Sequence, residues 1–225
     1  MKKLIKKIIN VALSPFILFD YFNYKKLDKN IRFTLKISDF YPQIKDKTMT
    51  THFDSHYVYH TSWAARKVRE INPDFHTDIS SSLYFSGITS AFVPVKFYDY
   101  RPAELKLSNL ESLPGDLMKL PFANDSINSL SCMHTIEHIG LGRYGDPLDP
   151  NGDLRAIMEL KRVLSKNGSL LFVTPVGKPR IQFNAHRIYS YEMIMEMFEG
   201  LNLMEFSLVT DSGDFIENAN PDIVK

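Results

Sequence analysis

The clearest alternation of hydrophobic and polar positions lies between Gly115 and Pro175. Small and apolar residues run from Ile127 to His134, as expected of a parallel strand that is buried on both faces. A helix is predicted to begin near Asp149-Pro150-Asn151, because an acidic cap and an early proline suit a first turn. Ser169 to Thr174 returns to a strand pattern. The segment therefore predicts one βαβ unit.

The predicted helix has one apolar face and a clear stop. Apolar residues recur at spacings of three and four positions, with one lysine stem among them. The positions expected on this face are Leu154, Ile157, Met158, Lys161 and Leu164. Asn167-Gly168 is typical of a left-handed C-terminal stop.

Three further strands are predicted before this unit, at Phe75–Ile79, Val93–Tyr98 and, more weakly, Leu110–Leu113. The carboxyl ends of parallel strands meet at one edge of an open sheet, so residues at these tips are expected to line one ligand crevice. The four tip residues are Asp78, Asp99, Asp116 and His134. The interval from Asp78 to Asp99 fits a strand, a crossover helix and a second strand whose acid can accept hydrogen bonds from ribose hydroxyls.

The composition is that of an ordinary globular chain, with 44% hydrophobic and 24% charged residues among 225. The single cysteine, Cys132, excludes an internal disulfide and indicates a reducing compartment, so a cytoplasmic location is expected. The net charge of +1 is unevenly distributed, because residues 1–50 hold eleven Lys or Arg against four Asp or Glu. The remainder of the chain is acidic, which argues against a nucleic-acid partner.

Residues 1–50 are predicted to form a basic, partly amphipathic segment ahead of a domain at 51–225. Residues 1–22 place four lysines within the first seven positions, among apolar residues. The apolar run is too short for a membrane span of about 20 residues, and no small-residue cleavage site follows it. Two interpretations stay open: a helix lying peripherally on an anionic membrane, or a helix packed on the domain with its lysines in water.

Several motifs carry a resemblance to a known superfamily. The strings DLMKLPFANDSINSL, IEH and ELKRVLSKNGSL resemble the second half of class I S-adenosylmethionine-dependent methyltransferases. HTSWAARKV, DISSS, YDYRP, EHIGLGRYGDPLDPNG and FNAHRIYS resemble a divergent branch catalogued as a domain of unknown function, DUF268. The similarity covers residues 57–206. It implies a doubly wound, mostly parallel α/β sheet of the Rossmann-like type, with S-adenosylmethionine as cofactor.

The resemblance also implies which residues hold the cofactor. They are Asp78, Ser80, Ser81, Asp99, Asp116, Leu117 and His134. The superfamily has a glycine-rich loop after strand one, whereas Asp78–Ser82 contains no glycine. A left-handed conformation at Ser80 would cost about 1–2 kcal/mol. Two functions therefore stay open: a methyltransferase with a modified site, or an inactive scaffold or interaction protein that keeps the fold.

Glu137, His138 and His186 are the candidate catalytic residues. Methyl transfer to oxygen or nitrogen needs a base for the acceptor's proton, and an imidazole serves near neutral pH. In the alternative interpretation, Glu137 and His138 only fix their loop through hydrogen bonds. The acceptor cannot be read from these residues, and the family setting suggests a small molecule or a glycan.

Two other patterns resemble known ligand motifs but are assigned no ligand. His52, His56 and His60 share a helical spacing, but no carboxylate or cysteine completes the set, so no metal is expected. Gly140–Gly145 matches the pattern GxGxxG, yet it does not follow strand one. It is therefore predicted to be a substrate loop rather than a dinucleotide-binding loop.

The sheet is expected to lack the seventh strand of the superfamily. Residues 211–225 show no alternating apolar pattern and are rich in acids. Leu203–Val209 is predicted to be strand six and to pair directly with strand five in parallel. In the alternative interpretation, strand five keeps a bare edge that another chain covers.

Overall fold

The computed structural model describes residues 2–30, 32–44 and 46–224. The chain divides into two compact units, residues 1–53 and 54–225. The first unit contains helix α1 (Lys2–Leu27) and a 3₁₀ turn at Ile37–Asp39. Within the described ranges, no helix is long and apolar enough to cross a membrane. Met1 and the side chains of residues 2–14, which include the four lysines of the membrane prediction, lie outside the described residues.

The second unit is built on a five-stranded parallel sheet in the order β3-β2-β1-β4-β5. The strands are β1 (His76–Ile79), β2 (Val95–Asp99), β3 (Leu110–Pro114), β4 (Ile127–Met133) and β5 (Leu164–Val173). The strand order reverses between β1 and β4, and ligand crevices of open α/β sheets form at such a switch point. The predicted strands are confirmed, with ends that differ by one or two residues except at the start of β5.

Helices cover both faces of this sheet, as the doubly wound prediction required. They are α2 (Ser55–Ile71), α3 (Leu83–Thr89), α4 (Gly152–Val163) and, at the margin of the α4 side, α5 (Tyr191–Met197). The side chain of Asp54 caps α2 by accepting a hydrogen bond from the Tyr57 backbone N–H at 3.1 Å. This cap fixes the start of α2 at Ser55.

The second unit has two hydrophobic cores, one on each face of the sheet, because successive side chains of β4 point to opposite faces. Leu130 and Cys132 pack in the core that contains Ile157 and Leu160 of α4. Met133 belongs to the other core, which α2 and α3 complete. The two layers enclose the sheet and leave its carboxyl edge as the place where a ligand can enter.

The predicted apolar face of α4 is confirmed at Ile157 and at Leu164, which follows the helix, but is wrong at Leu154 and Met158. Leu154 and Met158 are 44% and 61% exposed, whereas Ala156, Leu160 and Val163 are buried. Small Ala156 allows close approach of the helix to the sheet, and the two large residues are left on the outer side. The helix also ends at Val163 rather than at Asn167-Gly168, which lies inside β5 where the register with β4 shifts.

The predicted strand six is wrong, since the sheet ends at β5. Only β8 (Leu208–Val209) forms in this segment, and it pairs antiparallel with β9 (Phe215–Ile216). The preceding residues are held elsewhere, because Glu205 accepts a hydrogen bond from Trp63 Nε1 at 2.7 Å and pairs with Lys67 Nζ at 2.7 Å, both on α2. In the described part of the chain no seventh strand joins the sheet, as predicted.

A short hairpin follows β5. Its strands are β6 (Arg180–Gln182) and β7 (His186–Ile188), paired antiparallel. The sequence predicted only a loop here.

Candidate functional site

A cavity of about 190 Å³ opens at the carboxyl edge of the sheet, between the tips of β1, β2, β3 and β4. Ser80, Asp99, Asp116, Leu117 and His134 line it together with His138. The structure therefore brings these strand-tip residues together in one cavity. Tyr100, Arg101, Thr135, Tyr144 and Asp146 are also in the lining.

Ser80 adopts a left-handed conformation, with φ of 54°, although the loop contains no glycine. Its backbone N–H donates to the Tyr98 carbonyl at 2.8 Å, and its hydroxyl donates to the same oxygen at 3.1 Å. These two bonds fasten the tip of β1 to β2 and offset part of the conformational strain.

Asp99 and Asp116 each use one carboxylate oxygen to shape their own turn. Asp99 Oδ1 accepts from the Arg101 backbone N–H at 2.7 Å, and Asp116 Oδ1 accepts from the Met118 N–H at 2.9 Å. Among the described residues no protein donor is bonded to either Oδ2. Each acid therefore offers one fixed acceptor to a ligand with hydroxyl or amine groups.

Asp78 and Ser81 are not part of the cavity lining, which differs from their predicted position at the pocket. Asp78 is completely buried under α3, where it accepts hydrogen bonds from Ser131 Oγ at 2.7 Å and from Ser86 Oγ. Ser81 Oγ accepts from the Met133 N–H at 3.0 Å. The strand ends at Ile79, one residue later than a tip at Asp78 would require, so Asp78 faces the core.

Asp78 belongs to a buried polar chain. Because Ser131 donates its only proton to Asp78, it must accept from His76 Nε2 at 2.9 Å, and His76 Nδ1 then accepts from Ser129 Oγ at 2.8 Å. Burial raises the pKa of Asp78 to about 6 despite its serine donors, and burial lowers the pKa of His76 to about 4. This chain is a structural layer directly beneath the cavity floor.

His134 is paired with Glu137. His134 stands at the tip of β4 with φ of 55°, and its Nδ1 lies 3.0 Å from Glu137 Oε1. Since a carboxylate oxygen accepts, Nδ1 carries the proton and Nε2 keeps its lone pair. Glu137 is only 1% exposed and does not line the cavity, so it acts through its neighbours. His138 Nε2 lies farther from the same Glu137 oxygen, at 3.9 Å.

His138 lies on the opposite side of Glu137 and lines the cavity. Its Nδ1 lies 2.7 Å from the Ala185 carbonyl oxygen and 3.1 Å from Arg143 NH1. A proton on Nδ1 serves the carbonyl and leaves Nε2 unprotonated, whereas an unprotonated Nδ1 accepts from Arg143. Arg143 donates to the same carbonyl at 2.8 Å. Burial lowers the pKa of His138, and the charge of Arg143 adds to this, whereas Glu137 opposes it. The ring is therefore neutral at neutral pH.

His186 and Arg187 occupy different places from those the sequence suggested. The His186 ring centroid is 6.3 Å from that of His138, but His186 is not in the cavity lining. Arg187 is buried and cannot reach a ligand. Its NH1 donates to the Ile139 carbonyl at 2.5 Å, and its Nε lies 3.5 Å from Asp153 Oδ2. It ties the hairpin to the loop that follows β4.

That loop is held at its base by two aspartates. Asp146 Oδ2 accepts from the Gly140 N–H at 2.8 Å, and Oδ1 accepts from the Tyr144 N–H at 3.2 Å. The Asp149 N–H donates to the Gly140 carbonyl at 2.9 Å. Gly140 has φ of 79°, and a Cβ there would lie 2.1 Å from the Asp149 carbonyl oxygen. Glycine is therefore required at this position for the loop to close.

Helix α2 brings two groups to the site that the sequence did not predict. The His60 ring lies 4.9 Å from the His134 ring, and Tyr57 lies 6.0 Å from it. His60 Nδ1 donates to the His56 carbonyl, which leaves its buried Nε2 without a partner in the structure. Burial lowers the pKa of His60 to about 4. No cluster of three or more metal-ligating side chains occurs in the described ranges.

The five parallel strands in the order 3-2-1-4-5, with a cavity at their carboxyl ends and helices on both faces, form a doubly wound, Rossmann-like α/β fold. More narrowly, residues 118–217 match the model of a family described as Caenorhabditis protein of unknown function, DUF268. The match covers 100 of the 225 residues. It confirms the resemblance to this family over that region. No curated protein matches the chain.

Solved structures with a similar fold share little sequence with the chain. A Bacillus halodurans protein assigned as a candidate methyltransferase has a TM-score of 0.44 at 18% identity, over 60% of this chain and 66% of its own. The YcgJ protein of Bacillus subtilis has a TM-score of 0.48 at 18% identity, over 69% and 76%. The MccD protein has a TM-score of 0.45 at 14% identity, over 62% and 68%. The likeness concerns the fold alone.

Proposed function

We propose that the second unit binds S-adenosylmethionine in the cavity at the strand tips and transfers its methyl group to an acceptor. The observation that carries the proposal is the convergence of Ser80, Asp99, Asp116 and His134 on one cavity at the switch point of the sheet. Parallel sheets bind nucleoside-containing ligands at this place.

The donor and acceptor groups of the cavity fit such a cofactor. Asp99 Oδ2 would accept from ribose hydroxyls, and Asp116 Oδ2 would accept from an amino group of the base. Leu117, between the two halves of the lining, supplies apolar surface for the ring. When bound, S-adenosylmethionine supplies an electrophilic methyl group, and the chain has to position a nucleophile and remove its proton.

The Glu137–His134 pair is the proposed base. Glu137 accepts the Nδ1 proton and fixes the ring, so Nε2 of His134 can take a proton from an oxygen or nitrogen acceptor. This moves His134 from a cofactor role to proton transfer while it lines the same cavity. His138, with its neutral ring, is the second candidate. Glu137 then acts by positioning the His134 ring.

The competing function is an inactive scaffold that keeps the fold. The glycine-free loop and the left-handed Ser80 favour it, since they cost about 1–2 kcal/mol. Micromolar binding corresponds to about 8 kcal/mol, so this strain weakens a cofactor site without abolishing it. The acceptor is proposed to be a small molecule or a glycan.

Calorimetric titration of the full chain with S-adenosylmethionine, S-adenosylhomocysteine and NAD tests the proposal. Binding of the first two in the micromolar range, with none for NAD, is expected. Absence of binding at millimolar S-adenosylmethionine and S-adenosylhomocysteine would support the scaffold and reject the enzyme.

A further inference from the structure

Two guanidinium groups meet at one exposed aromatic ring beside the cavity. Arg101 Cζ lies 4.6 Å from the Tyr144 ring centroid, and Arg143 Cζ lies 5.0 Å from it. Arg101 and Tyr144 both line the cavity, as does His138, whose ring is edge-on to Tyr144 at 5.7 Å. Arginine stacked on an aromatic ring keeps its in-plane N–H groups free for an oxyanion.

Neither arginine is neutralised by a nearby acid. In the part of the chain that the structure describes, no carboxylate lies within ion-pair distance of Arg101 or Arg143. The acids that are close use their oxygens on backbone donors: Asp146 binds the loop N–H groups, and Asp99 Oδ1 binds the Arg101 backbone N–H. Arg101 therefore lines the cavity without an ion-pair partner among the described residues, and Arg143 contacts the Tyr144 ring from outside the lining. The lining also carries the carboxylates of Asp99, Asp116 and Asp146.

The ring on which they stack is itself held in place. The Tyr144 N–H is bonded to Asp146, and Arg143 NH1 donates to the Ala185 carbonyl at 2.8 Å, which places that guanidinium between the loop and the hairpin. A fixed aromatic surface with two oriented guanidinium groups is a recognition site for a carboxylate or a phosphate group.

We propose that Arg101, Arg143 and Tyr144 form the acceptor subsite and select an acceptor that carries an oxyanion, either a carboxylate or a phosphate. The inference rests on the proposed methyltransferase function and specifies its substrate class. The same lining holds the carboxylates of Asp99 and Asp116 and the contact between Arg101 and Tyr144. An acceptor anchored at Tyr144 would present its nucleophile to His134 and His138 in the same cavity.

The experiment measures binding of two simple probes, inorganic phosphate and acetate, to the full chain saturated with S-adenosylhomocysteine. Titrations followed by NMR at fixed ionic strength without chloride are run on wild type, Arg101→Gln, Arg143→Gln and the double variant. Arg69→Gln, an exposed arginine at the end of α2, is the matched control. Affinity for at least one probe is expected to fall about tenfold in each single variant and to stay unchanged in the control.

The two probes distinguish a phosphorylated from a carboxylated acceptor, because the preferred acceptor group should show the stronger binding. Equal affinity for both probes in wild type and the double variant, or no binding of either probe to wild type, would overturn the inference. Affinity for S-adenosylhomocysteine is measured in the same variants and is expected to be unchanged.

A third ligand, 5′-methylthioadenosine, separates the acceptor from the cofactor's own carboxylate. If the arginine variants lose affinity for S-adenosylhomocysteine but not for 5′-methylthioadenosine, the guanidinium groups hold the cofactor and the acceptor inference is wrong. If wild type binds the anions but no S-adenosylhomocysteine, the proposed enzyme fails while the anion site stands.

Discussion

Substitution of Asp99 tests whether its free carboxylate oxygen binds the cofactor. Asp99→Asn keeps Oδ1, which the Arg101 N–H needs, and replaces the free Oδ2 by an N–H₂ group that cannot accept. Affinity for S-adenosylhomocysteine is expected to fall at least about tenfold, or about 1.4 kcal/mol, in this variant and in Asp99→Ala. Calorimetry provides the measurement, with exposed Asp74→Asn as control. Unchanged affinity in Asp99→Asn would exclude the assigned role.

His134 can be tested without disturbing its backbone. Asn tolerates the left-handed conformation at φ of 55° and removes the imidazole base. Transfer of labelled methyl groups from S-adenosylmethionine into the small-molecule and glycan fraction of an extract is expected to fall at least about a hundredfold in His134→Asn. His186→Asn is expected to retain transfer. Full transfer in His134→Asn with loss in His138→Gln would assign the base to His138.

The positions of the site residues could be predicted only where the sequence predicted the strands and their parallel order. Asp99, Asp116 and His134 end strands whose apolar runs are clear, so their convergence followed from parallel topology. Asp78 was misplaced because a shift of one residue at a strand end turns a side chain from the crevice into the core. The roles of Arg101 and Tyr144 depend on loop geometry, which carries no periodic signal.

The closure of the loop that carries Tyr144 can be tested through two of its glycines, Gly140 and Gly145. Gly140→Ala would combine the strain of φ 79° with a clash against the Asp149 carbonyl, whereas Gly145, at φ of 86°, has no atom within 4 Å of an added Cβ. Gly145→Ala is expected to lower the free energy of unfolding by about 1–2 kcal/mol. Gly140→Ala should cost about 1–3 kcal/mol more. Urea unfolding measures both, and equal costs would contradict the proposed closure of the loop.

Helix α1 is proposed to contact an anionic membrane. Phe16 and Phe19 are 74% and 68% exposed, and the sequence places four lysines within the first seven positions of the chain. Flotation with phosphatidylserine vesicles is expected to recover the full chain and to decline with salt, since each basic residue near such a surface contributes about 1 kcal/mol. Phe16→Ser/Phe19→Ser should reduce the recovery. Binding that survives deletion of residues 1–22 would contradict the mechanism.

Element boundaries show where the sequence was less informative. The face of α4 was misjudged because Leu154 and Met158 satisfy the helical spacing as well as the buried set does. Small Ala156 gave little hydrophobic signal, although it makes the close contact. The prediction of strand six was wrong for a different reason. The bonds of Glu205 to α2 compete with pairing to β5, and they join residues more than a hundred positions apart, which a local sequence pattern does not reveal.

At the scale of the whole molecule, the free energy of unfolding depends on pH through buried groups that act in opposite directions: Asp78 on one side, and His60 and His76 on the other. The pKa of Asp78 is raised to about 6 in the folded chain, from an ordinary value near 4. Asp78 therefore makes its full contribution to stability below pH 4, and this contribution is lost as the pH rises through 6. The lowered pKa values of His60 and His76, about 4, have the opposite effect, because the unfolded chain binds those protons up to about pH 6.5.

Asp78→Asn should therefore steepen the gain of stability with pH. The difference in unfolding free energy between pH 7 and pH 4 is expected to exceed the wild-type difference by on the order of 2 kcal/mol, because the opposing acid has been removed. Urea unfolding at both pH values measures this, with Asp74→Asn as the exposed control. A wild-type pH profile in Asp78→Asn would show that Asp78 is ionised equally in both states.

Buried Arg187 has a consequence for how the cavity can open. It fastens the β6–β7 hairpin to the Ile139 carbonyl and to Asp153, so the hairpin and the base of the Tyr144 loop share one anchor. Neither segment can swing away alone without leaving a guanidinium unpaired in the interior, a cost of several kcal/mol. The two segments should therefore unlock as a single cooperative body, and their backbone amides should exchange hydrogen for deuterium with one common opening free energy.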